Sequence, residues 1–222
     1  MKRLITTGMA LALTGLAAGS AQAYDRTTLA AVAGTTGFGA ELSYRMNGYL
    51  GVTASYTDNL DYEGDYDTDD VHYEGDLGIG ASALKLNLYP FAGRFYLTAG
   101  AMLPDMEADV TGTSNQSGDF EFDGNTYNAS SVGELQGKLT IADGVQPYLG
   151  MGWRSSHRSG FGIFGEFGVM STDVEVELDA TGPIAGSPAF ERDARAEERR
   201  LEEEAEDFEY YPIAMLGISY TF

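Results

Sequence analysis

The sequence predicts an all-β fold: an eight-stranded antiparallel transmembrane β-barrel with long acidic extracellular loops and a short helix in the last loop. Three observations carry that prediction. The closing stretch Tyr210–Phe222 alternates, with Ala214, Leu216, Ile218, Tyr220 and Phe222 on one face and Ile213, Met215, Gly217, Ser219 and Thr221 on the other. A period of two is a strand whose faces meet different surroundings. Similar alternating segments of about ten residues recur upstream, the weak per-segment signal of a membrane barrel. Past residue 23 there is no apolar run long enough for a spanning helix, while 29 Gly, 14 Tyr and 11 Phe are abundant.

Residues 1–23 read as a cleaved signal peptide. Lys2 and Arg3 open it, Leu4 to Ala18 is its apolar run, and Ala21-Gln22-Ala23 fits a small-x-small cleavage site, so residues 24–222 form the barrel. Removing 1–23 leaves 199 residues (222 − 23), with 11 basic (13 − 2) against 34 acidic side chains and a net charge of −23. Such a chain binds no nucleic acid by bulk charge and attracts cations or cationic solutes. It has no Cys, which excludes disulfides and thiolate metal sites.

The first strand is Thr27 to Gly34, followed by the tight turn Gly34-Thr35-Thr36-Gly37. In the second, Phe38 to Met46, the face Phe38, Ala40, Leu42, Tyr44 and Met46 opposes Glu41, Ser43 and Arg45. Asn47-Gly48 is a two-residue hairpin signal. The third strand sets Leu50, Val52, Ala54 and Tyr56 against Gly51, Thr53, Ser55 and Thr57. Asp58 to Asp76, with nine carboxylates and no Lys or Arg, reads as a loop. The fourth strand, Leu77 to Tyr89, sets Leu84, Leu86 and Leu88 against Lys85 and Asn87, and a phase slip near Ala81–Ala83 suggests a bulge. After Pro90–Gly93 the fifth strand runs from Arg94 to Val110, its ladder loosened at Pro104. Thr111 to Val132 reads as a long loop. The sixth strand, Glu134 to Trp153, bends at Asp143-Gly144. Arg154 to Gly160 is a turn, and the seventh strand is Phe161 to Leu178. In the last connection, Asp179 to Glu209, the segment Glu191–Glu209 holds ten acids and four Arg without Gly or Pro. That composition predicts a salt-bridged helix with little to bury, either a cap or an arm.

Eight strands place both termini on one side, the periplasm. The short turns at Asn47-Gly48, Pro90–Gly93 and Arg154–Gly160 then share that side, and the acidic connections 58–76, 111–133 and 179–209 lie outside. A rival count, which splits 134–142 from 145–153 and drops the first strand, would put two acid loops in the periplasm. In lipid the sheet must close, apolar side outward. Glu41, Arg45, Lys85, Lys138 and Glu166 are therefore expected to point into the lumen and to pair there. They either plug the barrel or line a path for a small zwitterion. Tyr44, Tyr49, Tyr89, Phe91, Phe95, Trp153, Phe161, Tyr220 and Phe222 are expected in a periplasmic girdle, and Tyr56, Tyr62, Tyr210 and Tyr211 in an outer one.

Asp61, Glu63, Asp65, Asp67, Asp69 and Asp70 form a candidate cation-attracting loop. Asp65, Asp67, Asp69 and Asp76 match positions 1, 3, 5 and 12 of a calcium loop, but Asp70 stands where Gly is needed and position 12 is not Glu. Whether the loop takes metal stays open. His72 lies in it, and His157 follows Ser155-Ser156 in a turn, with no orienting carboxylate in view. No phosphate-loop or dinucleotide motif is present, so neither an enzyme nor a cofactor is expected.

Gly34-Thr-Thr-Gly-Phe-Gly39, Gly48-Tyr-Leu-Gly51, Asp123-Gly-Asn-Thr-Tyr127, Gly137-Lys138, Pro147-Tyr-Leu-Gly-Met-Gly-Trp153 and Gly162-Ile-Phe-Gly-Glu-Phe-Gly168 occur in order. Together they resemble the small outer-membrane barrels typified by the carbapenem-associated, ornithine-uptake porin, over about residues 34–222. Leu216, Ile218, Tyr220 and Phe222 resemble the C-terminal signal that the barrel-assembly machinery reads. The resemblance implies an eight-stranded barrel in a Gram-negative outer membrane, in contact with lipid and lipopolysaccharide, passing small basic or zwitterionic amino acids. The alternative is a non-conducting structural or interaction barrel whose acidic outer loops bind divalent cations, lipopolysaccharide or a partner.

Overall fold

The structure, a computed structural model, describes residues 26–67, 71–114, 119–122, 124–155, 159–205 and 209–222. The signal-peptide segment 1–23, Asp69, Asp70 and His157 lie outside them. The strands are β1 (Thr27–Gly34), β2 (Gly37–Arg45), β3 (Leu50–Asp67), β4 (Val71–Leu88), β5 (Phe95–Ser114), β6 (Asp119–Phe122), β7 (Asn125–Asn128), β8 (Glu134–Ala142), β9 (Gln146–Arg154), β10 (Gly160–Ser171), β11 (Glu175–Ala180) and β12 (Tyr210–Thr221). Two helices, α1 (Ala129–Val132) and α2 (Pro188–Ala205), complete the described elements. No helix among the described residues is long and apolar enough to cross a membrane.

Eight strands close a ring in the order β5-β4-β3-β2-β1-β12-β10-β9, sealed by the pairing of β9 with β5, and every pairing is antiparallel. The count of eight thus holds for the ring but not for the chain. β6 and β7 form a separate hairpin, and β8 and β11 continue the sheet from β5 beyond the ring. The predicted sixth strand is β8 and β9, broken at residues 143–145; the predicted seventh is β10 and β11, broken at 172–174. Pro104 faces the first break. The β5 ladder stops at the Met102–Gln146 pair and resumes at Met106–Ala142, so a residue without an N–H sits where that flank calls for no donor.

The start of β1 and the end of β12 lie at one end, where Phe222 N donates to Thr27 O at 2.9 Å. The connections after β2, β4 and β9 share it. The far end differs from the sequence expectation. Asp58–Asp76 is not a loop: β3 and β4 run on as a hairpin paired out to Asp67–His72. Thr111–Val132 is not structureless either, since β5 extends to Ser114 and the β6–β7 hairpin and α1 follow. The last helix, of 18 residues, begins three residues before the acidic segment that predicts it. It starts at Pro188 because Ser187 O accepts the first intrahelical bond, from Glu191 N at 2.9 Å, leaving Pro at the first helical position, where its missing N–H is not needed.

Two bulges mark a level across the sheet. On β3, Asp58 and Asn59 together oppose Gly80, so the predicted bulge lies on the partner strand rather than at Ala81–Ala83. On β8, Ile141 is the extra residue between the Met106–Ala142 and Glu107–Thr140 pairs. On the terminal side of this level the ring carries Leu84, Leu86, Leu149, Ile163, Leu216 and Ile218 outward, each more than half exposed. A closed ring with such a belt has no unpaired edge within it, the condition for sitting in lipid.

Beyond the level the polarity inverts. Glu63, Asp76, Asp109, Lys138 and Glu177 are cross-strand neighbours on the outward face. Leu77 and Ala108, and Leu135 and Leu178, lie on the inward one. A second apolar cluster forms there from Phe120, Phe122, Val132, Phe190 and Ala194, with Leu135, Leu178 and Ile184 against it. Phe190 meets the rings of Phe122 and Tyr127 edge-on at 5.3 and 5.4 Å. The polar helix therefore is a cap with a small core of its own. Glu198 and Glu202 of α2 accept hydrogen bonds from the backbone N–H of Leu178 and Val176 on β11, at 2.8 and 3.1 Å.

Candidate functional site

The ring's interior is the candidate site, and it changes character along its axis. Toward the terminal end the inward positions are Thr28, Glu41, Ser43, Thr53, Lys85, Asn87, Thr98, Arg154, Glu166, Ser219 and Thr221, all buried. Toward the far end they are Ala30, Val32, Ala81, Ala83, Met102, Met106, Met170, Ile213 and Met215. Strand alternation aims these side chains inward, and the inward glycines make room for large rings. A Cβ on Gly152 would meet the Tyr96 ring at 2.3 Å, and one on Gly168 the Tyr148 hydroxyl at 2.4 Å.

Four charges from four strands form a chain. Arg154 Nη2 donates to Glu41 Oε1 at 2.6 Å, Lys85 Nζ lies 3.4 Å from Glu41 Oε2, and Lys85 Nζ donates to Glu166 Oε1 at 2.6 Å. Hydroxyls complete both carboxylates. Ser43 Oγ donates to Glu41 Oε1 at 3.0 Å. Tyr96 and Tyr148 donate to Glu166 at 2.8 and 3.0 Å. Two acids and two bases leave the tetrad neutral, and each carboxylate has three partners. That matters because stripping water from an ion costs several kcal/mol, which only close partners offset. The tetrad residues are at most 6 % exposed, so they fill the lumen rather than line a path through it.

Of the sequence-derived lumen charges, Glu41, Lys85 and Glu166 meet here. Arg45 does not join them. It sits at the terminal mouth, stacked 3.9 Å over the Tyr89 ring, and donates to the turn carbonyls of Gly48 and Gly93 at 2.7 and 3.2 Å. Lys138 is not in the lumen. The bulge at Ile141 reverses its phase, and it pairs with Glu107 at 3.3 Å on the outward face. The missed member is Arg154, whose position the sequence assigns to a turn. β9 runs one residue past Trp153, and alternation from Tyr148, Gly150 and Gly152 was the signal that would have placed Arg154 inward.

Asp61, Glu63 and Asp65 are exposed on alternate positions of the β3 extension, and the Asp67 backbone continues that strand. Asp58, Asp61, Glu63, Asp76, Asp105, Glu107 and Asp109 border one open cleft. Among the described residues no three acids or histidines converge as metal ligands. His72 lies 3.6 Å from Glu74. Leu216, Ile218, Tyr220 and Phe222 are 71, 65, 40 and 50 % exposed on the outer face of β12. The terminal-end ring of exposed aromatics includes Tyr49, Phe91, Trp153 and Phe161, but Tyr89 is buried inside. At the far end Tyr211 turns its hydroxyl onto Thr35 O at 3.0 Å.

A closed antiparallel ring with an apolar belt, a charged and filled interior and a capped far end defines a small β-barrel of the membrane type. Two solved structures, those of CarO2 and CarO from Acinetobacter baumannii, have this fold. Each aligns with a TM-score of 0.55 and 22 % identity, over 89 % of this chain and 98 % of the other. The resemblance seen in the Gly- and aromatic-rich motifs is thus shared by the folds. No family model matches the chain, and no curated protein sequence does.

Proposed function

We propose that this chain is an outer-membrane barrel of the porin type, shut in its resting state, through which small solutes pass when the interior charges exchange partners. Basic or zwitterionic amino acids are the cargo that suits it, since the acidic outward face of the far end would concentrate cationic groups. The observation that carries this reading is the neutral Arg154–Glu41–Lys85–Glu166 chain. A barrel needing only to be filled is served as well or better by alkyl side chains. Ions joined by exchangeable contacts suit an interior that is wetted in turn. Planar-bilayer recording tests it: wild-type protein should open rarely, and Glu41→Gln, which frees Arg154 and Lys85 from their shared partner, should open more often. Silence from both, with no swelling of loaded liposomes, would remove the reading.

The acidic face favours a second reading, a non-conducting barrel whose far end binds lipopolysaccharide through divalent cations. Calcium-dependent binding to lipopolysaccharide that is lost in Glu63→Gln/Asp76→Asn/Asp109→Asn, with conductance absent throughout, would select it.

A further inference from the structure

The sheet beyond the ring has β11 at one edge and β3 at the other. Helix α2 lies along β11, but β3 is bare. It pairs with β2 only as far as the Phe38–Asp58 pair, yet with β4 as far as Asp67–His72. From Asn59 onward β4 is its sole partner strand among the described residues. Every second residue of such a strand turns its N–H and C=O away from the ladder. Among the described residues, 61–65 make no backbone hydrogen bond to any element besides β4, and all five are exposed. Edge strands are commonly blunted by Lys or Pro, and residues 59–67 hold neither. Instead they carry acids, with Asp61, Glu63 and Asp65 on the outward face. Like charges on neighbouring strands repel and opposite charges attract. The row therefore turns away the β3 edge of a second copy and admits a strand that is basic at alternate positions. The other face is open too. Tyr62 is 57 % exposed, Gly64 pairs with Gly75, and nothing lies within 4 Å of where a Cβ on Gly64 would be. Edge glycines of this kind leave room for a large apolar side chain on the next strand.

We propose that the β3 edge at residues 61–65 is a docking site for an extended cationic peptide, which adds a strand to the sheet with Lys or Arg outward and apolar side chains inward. Main-chain hydrogen bonds to the free edge supply affinity, and alternate side chains supply selectivity. The carboxylates of Asp61, Glu63 and Asp65 meet the basic positions, and the apolar ones cover Tyr62 and the Gly64–Gly75 pair. The site is independent of whether the barrel conducts.

The probe is a short labelled peptide alternating Lys and Val, capped at both ends and added to the full barrel in discs of zwitterionic lipid. Fluorescence anisotropy should show saturable binding, and amide exchange should slow at alternate residues of 61–67. The same peptide methylated at every backbone nitrogen keeps its charge but donates no main-chain hydrogen bond, and should bind about tenfold more weakly or worse. A peptide of the same composition with Lys and Val in two blocks should also bind more weakly. Asp61→Asn/Glu63→Gln/Asp65→Asn should cost about tenfold or more, the scale of three cross-strand charge pairs, whereas Glu177→Gln at the other edge should cost less than about twofold. Absence of saturable binding would overturn the proposal. Equal binding of the methylated peptide would overturn it as well, since bulk charge alone would then hold the peptide. So would an unchanged dissociation constant in the triple variant, or a loss in Glu177→Gln as large as the triple variant's. If the triple variant does not fold, the two control peptides on wild-type protein decide the matter.

Discussion

The ring and its far-end extension are built from the same strands, yet they are opposite in sense. Along β5, Leu97, Ala99, Ala101 and Leu103 face out and Tyr96 and Thr98 face in. Past Pro104 it is Asp105, Glu107 and Asp109 that face out and Met106 and Ala108 that face in. No change of secondary structure separates the halves. What changes is the medium, since alternation only sorts side chains into two sets and the solvent decides which set belongs outside. The two bulges lie where the sense switches. On β3 and β8 they shift the parity of the sequence, so a reader counting in twos from the ring loses the phase there.

That contrast can be broken in four places, from the largest expected effect to the smallest. Lys85→Met leaves Glu166 buried without a cation, while Glu41 keeps Arg154, and is expected to destabilise the barrel by about 3–5 kcal/mol, measured by urea titration in vesicles. An all-apolar replacement of the tetrad should be no less stable than wild type. Phe190→Ala removes the ring at the centre of the cap core and should cost the cap about 3 kcal/mol. Protease should then cut residues 115–133 and 181–209 while the ring stays intact. Leu84→Arg, in the middle of the belt, should cost about 2–4 kcal/mol in lipid, whereas Asp109→Arg on the same outward side beyond the bulges should stay within about 0.5 kcal/mol. Equal effects at the two sites would show that the bulges do not mark the edge of the lipid.

The smallest effect is a pH response confined to the cap. Asp193 accepts hydrogen bonds from Tyr127 at 2.6 Å, Asn125 at 2.9 Å and Arg192 at 3.0 Å. The Tyr127 hydroxyl first, and then Arg192, hold its carboxyl below the usual value of 3.8. A carboxylate with a lowered folded pKa contributes stability that is complete above its unfolded pKa and disappears as pH falls through the folded one. Amide protection in the cap, relative to the intrinsic exchange rate, should therefore fall below about pH 3.8 before it does in the ring. Asp193→Asn should remove that dependence.

Much of this was legible in the sequence for physical reasons. In the ring every strand turns apolar side chains outward and packs the other set inside, so the alternation of Phe38–Tyr44, Leu84–Leu88 and Ala214–Phe222 is strong and its phase unambiguous. Glu41, Lys85 and Glu166 follow from it, because a charge between two outward apolar neighbours falls on the inward face. The far end is legible only in part. Asp58–Asp76 is so acidic that it reads as solvated loop, although a strand with water on its outward face can be as acidic as a loop. The cap core draws Phe120, Phe122, Val132 and Phe190 from segments separated by tens of residues, with no periodicity to connect them. Lys138 was misplaced by a single extra residue. Arg154 was missed because Ser155 and the residues after it look like a turn, and the strand ends only once its last side chain has reached Glu41.

β11 is the last strand on its side of the sheet, and a free strand edge is a template for any passing chain. The carboxylates of Glu198 and Glu202 lie against it, bound to the N–H groups of Val176 and Leu178, two of those that an incoming strand would need. That arrangement closes the edge to self-association. A stranger's backbone would have to displace a charged acceptor at each of these N–H groups.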